Sequence, residues 1–391
     1  MATIIDPVLD AIDVLLAYYS SAAKATVDAN CEIQTADSEE TLVTNDGSLL
    51  SIIEVHGVTS LVGTEEFKKI RDGLMATFRP FMSIPGHSLQ VLFEYDPETV
   101  INEIRDNYAD SIETLQACEL DLGDLIDERL TNIARYTASE KVYIALWTRV
   151  SSLTQEQQKR VQSDKAKQFK DDNVPVFRYT QNVIAAIPDL RDSHETNVRS
   201  LVSNVQSYGI KAEMLKVHKA LKVIRTQIDP SFTDRSWQPV LPGDTVRPKI
   251  AKSFSGDIAD ILWPSISKQI FPRDAYNISM DTCKIGDKIY GCVFIDLFPK
   301  EIQIFSMLMS RVLQSSIPWR ISYMIDSDGL SSLKIKKALT SLLSFSSSQN
   351  RLIANGIELL EYIDLNTDDC VVKLRVSVAT WADESEMRKL K

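Results

Sequence analysis

Few groupings in this 391-residue sequence have the residue types and spacing that chemistry requires. Gly286-Asp287-Lys288-Ile289-Tyr290-Gly291 has the glycine spacing of a phosphate-binding loop. It continues into Cys292-Val293, so the phosphate-gripping Lys and the magnesium-binding hydroxyl are missing, and it reads as a hairpin rather than a strand-to-helix turn. Val293-Phe294-Ile295-Asp296 looks like the acidic strand of a nucleotide hydrolase, yet without a phosphate loop Asp296 is more simply a strand-end residue. Asp364-Leu365-Asn366-Thr367-Asp368 opens like a calcium loop, but its sixth position is Asp369 instead of Gly and its twelfth is Arg375 instead of Glu. The four histidines (His56, His87, His194, His218) have no metal-ligand spacing, and no GxSxG or GxGxxG pattern occurs. These residues give no recognisable catalytic, cofactor or metal site.

Two segments have the pattern of contact surfaces instead. Across residues 4–19, Ile5, Val8, Leu9, Ile12, Leu15, Leu16 and Tyr19 recur at helical spacing, with Asp6, Asp10 and Asp13 on the polar side. Ile5, Leu9, Ile12 and Leu16 are candidate contacts with the rest of the chain, a partner or a second copy. The acidic polar face argues against an anionic lipid surface, where interfacial helices carry Lys and Arg. The second segment is a basic stripe of Lys216, Lys219, Lys222 and Arg225, spaced by three, with Val217, Leu221 and Ile224 turned inward. A stripe of this kind suits a solvated helix face, or docking to an acidic partner or to nucleic acid, with nearby acidic residues favouring the partner.

The whole chain sets limits on both. A net charge of −11 argues against direct nucleic-acid binding, which needs clustered cations to neutralise phosphates. Five scattered cysteines form neither a disulfide framework nor a CxxC pair, which fits a reducing compartment. No run of 18 apolar residues occurs, and the acidic N-terminal stretch has no basic leader. A cytoplasmic location is therefore expected.

The elements that would position these residues come in a repeated order. Thr41–Thr44 and Ser48–Val55 flank Asn45-Asp46-Gly47 as a hairpin, followed by a helix over 64–78 that Thr64 caps and Pro80 ends. A strand over 87–95, a helical stretch to about Tyr136, a strand over 141–150 and a helix from Thr154 complete the first half. The second half repeats this: a hairpin about Gly286-Asp287, a helix over 300–313, a strand over 319–325, a helix over 330–345, a connection to Asp369, a strand over 370–380 and the start of a helix. Between them, a strand over 179–187, a helix over 190–208, a strand over 209–215 and a helix over 216–227 lead into a linker. It holds Pro230, Pro239, Pro242, Pro248, Pro264 and Pro272, and should cross the surface. The expected fold class is α/β (α+β), with two ferredoxin-like halves in tandem. The segments are 1–35 (arm), 36–175 (first half), 176–275 (helical insert and linker) and 276–391 (second half).

Several stretches resemble the N-terminal region of the large motor ATPases of type IV secretion and conjugation systems, nearest the Dot/Icm-type motors. They are Leu42-Val43-Thr44-Asn45-Asp46-Gly47-Ser48-Leu49-Leu50 running to Gly57; Tyr208-Gly209-Ile210-Lys211-Ala212-Glu213-Met214-Leu215 with Leu221 to Pro230; Ile317-Pro318-Trp319-Arg320-Ile321-Ser322; and Val376 to Glu386. Each is weak alone, but their order and spacing span nearly the whole chain. The resemblance implies a RecA-like ATPase after residue 391, which would bind ATP and magnesium, and a segment here that holds no catalytic residue. It also implies a place on the cytoplasmic face of the inner membrane. The implied partners are inner-membrane channel subunits, other cytoplasmic ATPases of the system, and further copies as a dimer or hexamer.

Two other classes compete with this expectation. A stand-alone adaptor or scaffold would have no phosphate loop in the hundred or so residues after Lys391. An enzyme with an unrecognised site would have a deep pocket with convergent titratable groups, whereas a docking segment would expose an apolar patch.

Overall fold

The computed structural model describes residues 31–171, 180–182, 185–232, 234, 236–244, 263–271, 273, 275–279, 282–295, 317–327, 329–330, 333, 337–338, 348–366 and 369–386. In chain order the elements are β1 (Ile33–Ala36), β2 (Leu42–Thr44), β3 (Leu49–Val58), α1 (Thr64–Met82), β4 (His87–Asp96), α2 (Val100–Asn107), α3 (Ala109–Ala117), α4 (Gly123–Ala134) and β5 (Ser139–Thr148). Next come α5 (Gln155–Asp171), α6 (Pro188–Ser207), β6 (Ile210–Met214), α7 (Val217–Ile228), α8 (Ile266–Ile270), β7 (Ala275–Asn277), β8 (Thr282–Ile285) and β9 (Lys288–Ile295). The last are β10 (Trp319–Asp326), α9 (Ser348–Asn366) and β11 (Lys373–Asp383).

The eleven strands of the described residues form one antiparallel sheet, ordered β1-β2-β3-β5-β4-β10-β11-β9-β8-β7, with β6 added to β3. The strands of the expected repeat show in that order. In the first half the hairpin β2-β3 is followed outward by β5 and then β4. In the second, the hairpin β8-β9 is followed by β11 and then β10. The halves meet back to back where β4 pairs with β10 from Ser88↔Asp326 to Tyr95↔Trp319. The mixed α+β class thus holds. In the first part of the sheet β3-α1-β4 is a strand–helix–strand unit with β5 between its two strands, and β6, which follows α6, pairs with β3 on the side away from β5.

Local signals explain many of the elements. Gly47 closes the β2-β3 hairpin at φ +90°, a conformation that favours glycine. Asp46 braces the same corner, accepting from the Ser48 backbone N–H (2.9 Å) and the Ser48 hydroxyl (2.8 Å). Gly286, at φ +60°, opens the two-residue β8-β9 turn. Thr154 and Gln157 form a reciprocal cap at the start of α5: Gln157 Oε1 accepts from Thr154 N (2.9 Å), and Thr154 Oγ1 accepts from Gln157 N (3.3 Å).

Several sequence expectations need correction. Thr64 is the first residue of α1 and makes no cap. Pro80 lies inside α1 rather than ending it, because Phe81 and Met82 beyond it are buried against the sheet. The long helical stretch divides into α2, α3 and α4, with Glu119 at φ +55° between the last two. No strand forms among the described residues of 179–187; Thr180 makes a single bridge to Pro264. The first strand of the second hairpin is short, β8, and β7 precedes it and pairs with it antiparallel as a further strand. The connection before Asp369 contains the 19-residue helix α9, whose apolar residues do not keep to one face. The expected helix over 300–313, Asp296, and most of the helix over 330–345 lie outside the described residues.

The proline linker is also more than a surface crossing. Its described pieces place Leu241, Ile266 and Ile270 in a core with Leu50, Ile52 and Tyr143 of the sheet and Leu215, Val217 and Leu221 around α7. Buried Gln181 holds it there, donating to Val240 O (2.7 Å) and Pro264 O (2.9 Å) and accepting from Thr35 (3.1 Å). On the opposite face, Ile53, Leu89, Ile144 and Leu146 pack under α1 and α6 through Phe81, Met82, Val198, Leu201 and Val205. The sheet of the first half is therefore covered on both faces.

Candidate functional site

Four places bring functional side chains together, and their geometry separates chemistry from packing. The first is a buried polar network under α6. His194 Nε2 lies 3.0 Å from Ser51 Oγ on β3, and His194 Nδ1 lies 2.8 Å from Thr148 Oγ1 on β5. A Ser–His pair at this distance is the start of a nucleophilic site, but the hydrogen-bond directions run the wrong way. Ser51 gives its proton to Glu40 O (2.8 Å), so its oxygen accepts from His194 Nε2–H, while Nδ1 accepts from Thr148. The imidazole is thus a neutral donor toward Ser51 and not a base for it. Burial pushes its pKa down to about 4, and neighbouring His87 adds to this. All three side chains are shut away from solvent, which makes the network a structural tie between α6 and the sheet.

The second is a surface cluster on β3 and β6, where ligand atoms of Glu54, His56 and Glu213 lie within 4.8 Å of one another. Three such groups at this distance fit a divalent cation, but a cation already stands among them. Lys219 Nζ is 2.7 Å from Glu54 and 2.8 Å from Glu213. Burial works against the Lys219 ammonium, yet the hydrogen bonds it donates to both carboxylates hold its pKa above the usual value. The chemistry of the donor set is that of an internal ion-pair cluster.

The third is the basic stripe on α7. The structure brings its cations to partners within the chain rather than presenting them as one patch. Lys216 pairs with Glu39 (3.0 Å) and Lys219 with the two carboxylates above. Arg225 sits in the corner formed by the perpendicular rings of Phe232 and Trp237, 4.0 and 4.3 Å from their centroids, and donates to Gln269 O (3.0 Å). Burial lowers the Arg225 pKa. Lys222 shares the stripe and also interacts within the chain. The remaining histidines are placed structurally: His87 Nδ1–H donates to Ile84 O (3.2 Å), and His218 pairs with Asp244 (2.9 Å).

The fourth is an apolar groove of about 600 Å³ between α1 and the second half of the sheet. Phe67, Ile70, Leu74, Met75 and Phe78 of α1 form one wall, Leu89 and Ile325 the floor, and Cys370 and Val372 the other wall. Phe67 and Met75 remain 61% and 60% exposed. Charge is confined to its rim, where Arg71 pairs with Asp72 (2.7 Å) and Arg79 with Asp369 (2.8 Å). Sequence reasoning missed this site. The signal was present in the i, i+3, i+7, i+11 spacing of Phe67, Ile70, Leu74 and Phe78, but that stripe reads equally as a core face. Exposed apolar residues continue on α9 at Leu352, Leu359, Tyr362 and Leu365.

The candidate contacts Ile5, Leu9, Ile12 and Leu16 lie outside the described residues. All five cysteines are free thiols, and no helix among the described residues is long and apolar enough to cross a membrane. No protein-family model matches the chain, and a search of curated proteins finds no match.

Proposed function

We propose that this chain is a docking and assembly segment of a type IV secretion or conjugation motor ATPase, holding the motor against its inner-membrane channel on the cytoplasmic side. The observation that carries the reading is the open apolar groove beside α1. A docking segment needs solvent-facing apolar area on a rigid support, and the groove supplies it on a sheet continuous across both halves. The titratable clusters support the same reading, since one is buried as a neutral network and the other neutralised by Lys219. The sequence stretches that resemble the motor family add to it, because β3, β6, β10 and β11 of the central sheet carry them. ATP, magnesium and the hydrolytic residues would belong to a RecA-like domain beyond residue 391.

Calorimetric titration of ATP with magnesium tests the proposal, run on this 391-residue chain and on the longer protein from the same gene. Binding by the longer protein alone is the expected result. Tight binding by the 391-residue chain, or a gene with no phosphate loop in the hundred or so codons after Lys391, would overturn it.

A further inference from the structure

We infer that the groove beside α1 is the receptor for the chain's own N-terminal segment, residues 4–19. This inference does not depend on the secretion-motor reading; it rests on shape, length and charge.

The α1 wall runs from Phe67 to Met82, fifteen residues or about 22 Å at 1.5 Å per residue. The apolar residues of the N-terminal segment run from Ile5 to Tyr19, fourteen residues or about 21 Å if helical. Both carry apolar residues at spacings of three and four, the pattern by which one amphipathic helix lies in the groove of another.

Charge fits the same pairing. Asp6 and Asp13 are seven residues apart, two helical turns, and stand next to the apolar stripe at the helical repeat of about 100° per residue. Arg71 and Arg79 stand eight residues apart on the groove rim. Their present partners, Asp72 and Asp369, form solvent-exposed pairs that contribute little and exchange readily. An acidic segment is also the wrong ligand for an anionic membrane, so the arm's apolar face needs a protein surface.

The tether is long enough. Residues 20–30 join the segment to Cys31, where the described chain begins, and extended they span up to about 40 Å. β1 is separated from the β4-β10 seam by four strand gaps. At about 4.8 Å per gap, plus a layer of about 10 Å, that distance is within reach in the same molecule, and a second copy can supply the arm equally well.

The test uses the full 391-residue chain. Hydrogen exchange of residues 4–19 is compared between the parent chain and Phe67→Glu/Met75→Glu, two exposed positions whose replacement leaves the sheet core intact. The expected result is protection of the segment that falls about tenfold in the groove variant, with matching loss of protection along α1 in Leu9→Asp/Leu16→Asp. Equal exchange in parent and groove variant overturns the inference. In a second measurement, Ile12→Cys and Met75→Cys are combined and oxidised. A cross-link within one chain or between two chains supports the inference and tells the two sources of the arm apart, and no cross-link overturns it.

Discussion

Arg320 on β10 faces Glu94 on β4 in direct register, with its Nε and one terminal nitrogen both 3.0 Å from Glu94 Oε2. The pair sits within the β4-β10 pairing, hence on the seam between the two like-ordered halves. The guanidinium also donates to Gln227 O (2.8 Å) and lies over Trp381 (5.1 Å), so one side chain ties β4, β10, α7 and β11 together. On the other face of the same seam, Trp319 stacks on Tyr95 with ring centroids 5.4 Å apart.

Removing both members of that pair should cost less than the two single removals summed. Arg320→Met leaves Glu94 charged and largely buried, and a loss of about 3 kcal/mol is expected. Glu94→Gln combined with Arg320→Met should cost less than the two single losses summed, because neither half of the pair is then left alone. Urea unfolding of the two single variants and the double variant measures this, and additive losses would show that the two groups act independently.

His194 should make the chain sensitive to acid. The unfolded imidazole takes up a proton near pH 6.5, whereas the native one resists until about 4, held down first by burial and then by His87, with Asp37 opposing. Between those values the unfolded state holds more protons, so stability rises with pH and falls on acidification. A drop from pH 7 to pH 5 should cost about 2 kcal/mol through this residue. Buried His87, hydrogen-bonded to Ile84 O and Asn197, shifts in the same direction and adds to the slope. His194→Gln should therefore unfold at urea midpoints that differ less between pH 7 and pH 5 than those of the parent; an unchanged difference would remove His194 from the account.

Gly47→Ala should be strongly disruptive for one methyl group. The residue is at φ +90°, and an added Cβ would come within 2.8 Å of Ala185 O, Ile187 Cδ1 and Lys165 Nζ. A loss of about 2 kcal/mol or more is expected from strain and crowding together. Thermal unfolding reads it directly, and a change within a few tenths would mean that the hairpin has room to reshape.

Arg225→Lys separates packing from docking on the α7 stripe. Lysine keeps the charge but not the guanidinium that sits over both Phe232 and Trp237, so a loss of about 1–2 kcal/mol is expected. Binding to an acidic polymer such as heparin should not change. Weakened heparin binding with unchanged stability would restore Arg225 to a docking role.

The sequence by itself determined the local elements: the two hairpins at Gly47 and Gly286, the helix that starts after Thr154, and the amphipathic α7. These depend on backbone conformation and on periodicity within a few residues, and both are written along the chain. It failed where neighbours distant in sequence decide the outcome. Pro80 stays helical because Phe81 and Met82 find a core beyond it. The proline linker is held inward by Leu241, Ile266 and Gln181. The α7 cations meet carboxylates and rings supplied by Glu39, Glu54, Glu213, Phe232 and Trp237. The groove depends on the same kind of information. The stripe of Phe67, Ile70, Leu74 and Phe78 is apolar whatever it meets, and only the pairing of β4 with β10 leaves part of it facing an opening rather than a core.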